Sequence, residues 1–183
     1  MSTTATAAAE ARPYQVILLN VELSYPKLFE PKPYKNEAKL RYGANFILRE
    51  ATHADQIEGI KKQIAALLAE KKKKIRPENW CMRQADEEEY GPGAWEIRAY
   101  SQESRPPQVK RRDKSIATAK DDLFYGGAIV NGIIHLYENF DKINAGLDAV
   151  QFVKHGERKG RRPVDADKAL PDLDDDDGDD GLS

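Results

Sequence analysis

The run LFYGGAIVNGIIHLYENFDKINAGLDAVQFVK, residues 123–154, constrains the fold more than any other stretch, because it is the chain's densest concentration of strand-forming residues. Across 128–137 the side chains alternate, with Val130, Ile134 and Leu136 on one face and Asn131, Ile133, His135 and Tyr137 on the other. One face is therefore core and the other semi-polar. Gly126 and Gly127 ahead of this strand allow close backbone approach, and Gly132 inside it predicts a bend or bulge of the kind that closes a small barrel. A second strand, 147–154, follows a turn region, 139–146, short enough to make the two an antiparallel pair. The reading is a β-hairpin in a mainly β domain.

At 183 residues the chain has the length of one domain with flexible ends, and a second full core is not expected. No stretch is apolar for long enough to span a membrane, and the Ala/Thr-rich start lacks the basic and apolar segments of a secretion signal. A cytoplasmic location follows. A single cysteine, Cys81, excludes an internal disulfide, and with three scattered histidines it gives no zinc spacing, so neither metal nor cofactor is expected.

The net charge of −2 averages two unlike parts. The last twelve residues, DLDDDDGDDGLS, hold seven aspartates and no cation, which leaves 29 basic against 24 acidic groups, a net of +5, on the rest. A basic body with an acidic arm is a pattern of polyanion binders.

Residues 15–23 alternate Ile17, Leu19, Val21 and Leu23 against Val16, Leu18, Asn20 and Glu22, a first strand. Residues 24–35 (SYPKLFEPKPYK) read as a loop forced by three prolines, mixing Tyr25, Phe29 and Tyr34 with Lys27, Lys32 and Lys35 as a groove for unpaired bases would. A second strand covers 40–48, with Gly43 marking curvature. Thr52 and Asp55 have capping-box spacing, and Ile57, Ile60, Ile64, Leu67 and Leu68 recur with helical period, predicting an amphipathic helix from 54 to about 73 that covers the sheet. The lysines at 71–74 suit the C-terminal end of that helix dipole.

Residues 75–93 read as irregular. Trp80 there is either a stacking platform for a base or an anchor of the loop to the core. The third strand, 95–100, turns Arg98 and Tyr100 outward together, which lets a cation meet a phosphate while the neighbouring ring meets a base. Residues 104–114 (SRPPQVKRRDK) carry Arg105, Lys110, Arg111, Arg112 and Lys114 beside two prolines, the strongest basic patch. A second basic segment, 156–163, follows the last strand.

The segments 24–31, 125–131 and 146–156, in the order strand, SYPKLFEP, strand, helix, strand with RPP, FYGGAIVNGIIHLYE and GLDAVQFVKHGE, resemble a known family. It is that of the phage-encoded single-stranded DNA-binding proteins of the OB-fold class, long grouped as a family of unknown function and distantly similar to the helix-destabilising proteins of lytic phages. The resemblance covers residues 16–157. It implies a single OB fold, a five-stranded antiparallel barrel with one helix, binding single strands without sequence preference in phage replication or recombination, in the cytoplasm of a bacterial host. Family members usually carry an acidic carboxyl tail, as here. Many have a shorter loop at 76–93, so no role for Trp80 carries over, and the family supplies no catalytic or metal residues.

The expected organisation is a disordered segment 1–13, a DNA-binding barrel 14–157 and a flexible segment 158–183 with the acidic tail. Arg98, Arg105, Lys110, Arg111 and Arg112 are the candidates for phosphate, and Tyr34, Tyr100, Tyr137 and Trp80 for base stacking. Asp174, Asp175, Asp176, Asp177, Asp179 and Asp180 are read as a regulatory run that imitates a phosphate backbone, competes for the groove and, when released, meets replication or recombination proteins. A monomer or small homo-oligomer is expected. The rival classes are a magnesium nuclease using Asp86, Glu87, Glu88 or Glu89, whose consecutive carboxylates would fan outward rather than converge, and an OB-fold protein-interaction module without DNA function.

Overall fold

The computed structural model describes residues 13–33, 35, 36, 38–159, 170 and 171. In chain order its elements are β1 (Gln15–Pro33), β2 (Leu40–Arg49), helix α1 (Glu50–Lys71), β3 (Met82–Gln84), the one-turn helix α2 (Glu87–Tyr90), β4 (Ala94–Gln102), β5 (Gln108–Lys110), β6 (Ile129–Asn139) and β7 (Lys142–Lys154).

Closure depends on β1, which serves two neighbours in succession. Gln15 to Glu22 pair antiparallel with β6, and Glu22 to Pro33 pair antiparallel with β2. From β2 the sheet passes to β4, and a short parallel pairing of Ala99 with Ala145 and Tyr100 with Gly146 joins β4 to β7, which returns to β6. Five strands, β1, β2, β4, β7 and β6, thus form the closed barrel expected from the sequence, with the closing pair its one parallel contact. β3 and β5 are short additions, β3 beside the first half of β4 and β5 beside the second half of β7.

Leu18, Val21, Leu23, Ala44, Phe46, Leu48, Ile97, Ala99, Val130, Ile134, Leu136, Ala145, Leu147 and Val150 fill the interior. Each large aliphatic or aromatic side chain buried this way contributes roughly 1.5–3 kcal/mol. Gly132 matters because a Cβ on it would lie 2.8 Å from Phe46 Cε1, so the ring occupies the space that a side chain there would need. Curvature comes from bulges. Leu18 pairs with Gly132 and Val21 with Val130, so Leu19 and Asn20 together oppose Asn131; Asn20 takes φ 55 and its N–H donates to Asn131 Oδ1 (2.9 Å).

Several local expectations change. The proline-rich stretch is not a loop: β1 runs on to Pro33, with Pro26 inside a register shift beside Tyr25 at φ 45, and Pro31 and Pro33 lying where only β2 flanks the strand. A strand with one free edge tolerates residues that cannot donate. The turn between the last two strands is Phe140 and Asp141 alone, and β7 starts at Lys142, because Ile143 and Ala145 already carry the inward alternation. The capping box at Thr52 and Asp55 is absent; α1 starts at Glu50, the Arg49 N–H donates to His53 Nδ1 (3.0 Å), and His53 Nε2 donates to the Asn20 carbonyl (2.9 Å).

α1 buries Ile57, Ile60, Ile64 and Leu67. Gln56 fixes it to the β1 bulge, accepting from the Leu19 N–H and donating to the Leu19 carbonyl, both at 2.9 Å. Its far end is tied to the β6–β7 hairpin by the ion pair of Lys73 with Glu138. The segment 75–93 is partly ordered into β3 and α2, and Tyr90 of α2 packs with Ile47, Ala85 and Ala94 outside the barrel. After β7 the chain folds back over Gly126 and Gly127, where the Lys159 N–H donates to the Gly126 carbonyl (2.7 Å). Gly127, at φ 105, is required there, since a Cβ would lie 1.7 Å from the Glu157 oxygen.

Candidate nucleic-acid interface

Register places four residues side by side across the outside of the barrel. Gly43 of β2 is opposite Tyr100 of β4, Tyr100 is opposite Gly146 of β7, and Gly146 is opposite His135 of β6. Rings and glycines alternate, and each ring lies over a glycine. A Cβ on Gly43 would be 3.0 Å from Tyr100 Cδ1, and one on Gly146 would be 2.0 Å from His135 Cε1. His135 stacks on Tyr137, two residues along the same strand, with ring centres 5.7 Å apart, and its Nδ1 donates to Asp148 Oδ2 (2.9 Å). Burial pushes the Tyr137 phenol above its ordinary pKa, so this ring stays neutral in the physiological range. The Arg41 guanidinium covers the Tyr100 ring at 4.7 Å from its centre. The result is a strip of rings, pressed close to the backbone and bordered by a cation.

Arg98 lies two residues before Tyr100, opposite Asn45, and its Nη2 donates to Glu96 Oε2 (3.2 Å), while Asn45 Nδ2 donates to Glu96 Oε1 (2.7 Å). Lys110 of β5 pairs with Gln151 of β7, on the same edge of β7 where Tyr100 meets Gly146. The separation along β7 is five residues, roughly 16 Å of strand. Arg98, Tyr100 and Lys110 therefore follow one seam of the barrel's outer surface. Arg105 and Arg112 are exposed, Arg105 in the loop between β4 and β5 and Arg112 just past β5. Beyond Glu22 the β1–β2 arm brings Lys27 opposite Gly43 and Lys32 opposite Arg41.

Arg111 is placed differently from its neighbours. Its Nε and Nη2 donate to Asp121 Oδ2 and Oδ1, each at 3.0 Å, a fork that holds the loop after β5. The pair raises the Arg111 pKa and holds the Asp121 carboxyl below the usual carboxylate range, the side-chain hydrogen bond being the main cause in both. Trp80 is partly buried against the core, and its indole N–H donates to the Ile75 carbonyl (3.1 Å). Tyr34 and the six aspartates of the tail lie outside the described residues.

The acidic run serves local structure. Asp86 caps α2 by accepting from the Glu88 and Glu89 N–H groups, and Glu89 accepts from the Tyr25 hydroxyl (3.2 Å); the Glu89 charge first, and that bond second, raise the Tyr25 pKa. Among the described residues no three His, Cys, Asp or Glu side chains are grouped to hold a metal ion, and no helix is long and apolar enough to cross a membrane. Arg41 and His135 are the members of the strip that sequence reasoning did not select. Their signal was positional: Arg41 and Gly43 share a face of β2, and His135 and Tyr137 share a face of β6, but the register that sets them beside Tyr100 is a long-range pairing.

A closed five-stranded barrel with a ring-bearing, cation-edged outer face defines a protein of the OB class. The family model for the ssDNA-binding protein of Enterobacter phage Enc34 matches residues 14–181, and the chain belongs to that family. It is 31% identical over 157 residues to protein p50 of Acyrthosiphon pisum secondary endosymbiont phage 1, covering 78% of this chain and 85% of that one. Among solved structures it is similar to the single-stranded DNA-binding protein of bacteriophage Enc34, with a TM-score of 0.69 and 25% identity over 86% of this chain and 90% of the other. For the complex of that protein with ssDNA the TM-score is 0.70 at 23% identity, over 81% and 91%. The single-stranded DNA-binding protein gp2.5 of bacteriophage T7 gives 0.54 at 13% identity, over 86% and 94%, a likeness of fold.

Proposed function

We propose that this chain is a non-sequence-specific single-stranded DNA-binding protein of phage replication or recombination, acting without catalysis in the cytoplasm of the host. The strand runs over the outer face of β2, β4, β7 and β6. The observation that carries this reading is the row Gly43, Tyr100, Gly146, His135: glycines let two rings lie close against the backbone on β4 and β6, the strands that flank β7, and such rings accept any base because every base has a π-face. Tyr100 and Tyr137, with His135, stack bases; Arg98, Arg105, Lys110 and Arg112 track phosphates, with Arg41, which moves off the Tyr100 ring to a phosphate as a base takes its place; Arg111 acts by holding its loop. The relative solved with ssDNA, and membership in its family, support the choice of ligand.

The acidic tail is a removable imitation of the nucleic acid, competing for the same face and, once displaced, open to a basic site on another replication protein. Anisotropy of a labelled oligo-dT, titrated across salt with a magnesium cleavage control, tests the reading. Log affinity should fall with log salt at about 0.7 per phosphate neutralised, with no cleavage. Cleavage, or no binding at low salt, would remove it. Deleting residues 172–183 should tighten binding at low salt; unchanged affinity would reduce the tail to a solubilising arm.

A further inference from the structure

Phe140 is the most exposed large hydrophobic side chain among the described residues, at 82%, and it stands at the tip of the β6–β7 hairpin. It also breaks a local rule. Asn139 pairs with Lys142, so the connection is a two-residue loop with Phe140 in its first position, and Phe140 has φ 55. That position at positive φ is the place of Gly, Asn or Asp, which reach left-handed backbone without the steric conflict a bulky side chain meets. Asp141, the better suited residue, follows instead of leading. The tip is nonetheless held: the Lys73 ammonium donates to the Phe140 carbonyl (3.2 Å) and pairs with Glu138. A ring is thus kept in water, on strained backbone, by a fixed support, with no ring partner among the described residues.

Strain that packing does not repay points to function. β6 carries His135 and Tyr137 toward this tip, and Phe140 is three residues beyond Tyr137, roughly 10 Å of strand. We infer that Phe140 is an additional base-stacking site, which extends the strand's footprint past the barrel face onto the hairpin tip. The inference rests on the single-strand reading above. An unpaired base is the occupant because the ring continues a line of rings already suited to bases, and because an isolated exposed ring gains most from a flat aromatic partner.

The experiment compares the full chain with Phe140→Ala, Phe140→Asn and Phe140→Trp on oligo-dT of increasing length. Phe140→Ala and Phe140→Asn should bind long oligomers about fivefold to tenfold more weakly, while the shortest oligomer still bound is unaffected. Phe140→Asn should also melt higher than the parent, since Asn relaxes the turn. Phe140→Trp should keep the affinity, and its added fluorescence should be quenched by long oligomers only. Equal affinity of parent, Phe140→Ala and Phe140→Asn at every length overturns the inference, as does a uniform loss at all lengths. Failure of the parent itself to bind would instead remove the reading on which it rests.

Discussion

Gly146→Ala isolates the ring strip from the barrel that supports it. The new Cβ would stand 2.0 Å from His135 Cε1, 2.3 Å from Nε2 and 2.7 Å from Nδ1. Carbon atoms rest at roughly 3.5–4.0 Å, so the imidazole must retreat by about 1.5 Å. It cannot do so and keep both its 2.9 Å bond to Asp148 and its stack on Tyr137. Gly146 is not among the positive-φ residues, so alanine is compatible with the backbone and should add about 0.4–1 kcal/mol by restricting the unfolded chain. The lost His135–Asp148 contact, its side chains 31% and 26% exposed, costs a similar amount at most, about 0–1 kcal/mol. Net stability should therefore change by less than about 1 kcal/mol, a Tm shift of no more than about 4 °C. Binding should suffer more: displacing one platform removes at least about 1 kcal/mol of stacking, a five- to tenfold rise in Kd for oligo-dT at fixed salt. Anisotropy and thermal melting on one preparation give both numbers. An unchanged Kd with an unchanged Tm would refute the claim that His135 is part of the face.

Arg112→Ala should weaken oligo-dT binding and lower the salt slope by about 0.7, whereas Arg111→Ala should leave a disordered loop after β5, read as faster amide exchange across 111–121. The Asp121 carboxyl is held below its unfolded pKa, so the fork stabilises the loop above that unfolded value and is lost as pH falls through the depressed one; exchange should accelerate only in that acid window. Gly132→Ala places a Cβ 2.8 Å from the fully buried Phe46 ring and should cost about 1–3 kcal/mol, a Tm lower by roughly 3–10 °C. Burial pushes the Cys81 thiol up to about 12, so near neutral pH it is held as the unreactive thiol. A thiol reagent should label it at the rate of unfolding; immediate labelling of the native protein would contradict the packing.

Period-2 alternation around Val130, Ile134 and Leu136 was enough to find β6, and the helical spacing of Ile57, Ile60, Ile64 and Leu67 was enough to find α1, because burial on one face writes directly into sequence. The outward pair Arg98 and Tyr100 was legible for the same reason. Prolines misled at β1, where a free edge makes them harmless, and glycine misled at Gly146, which reads as a turn residue but serves as the floor under His135. Arg111 and Arg112 are adjacent and alike in sequence; only Asp121, ten residues from Arg111, separates a clamp from an exposed cation. The sequence around Trp80 does not show that its indole N–H meets the Ile75 carbonyl, a contact made by the fold of the loop. Features set by long-range register, such as Arg41 and His135 beside Tyr100, have no local signature.

Photocrosslinking of a halogenated oligo-dU to the full chain, followed by mapping of the linked peptides, locates the bound strand on the barrel. Adducts should fall in the peptides that hold Tyr100, and His135 with Tyr137, all competed away by unlabelled single strands. Adducts confined to α1 or to the exposed Ile17 and Leu19 of β1, with none on β4 or β6, would contradict it.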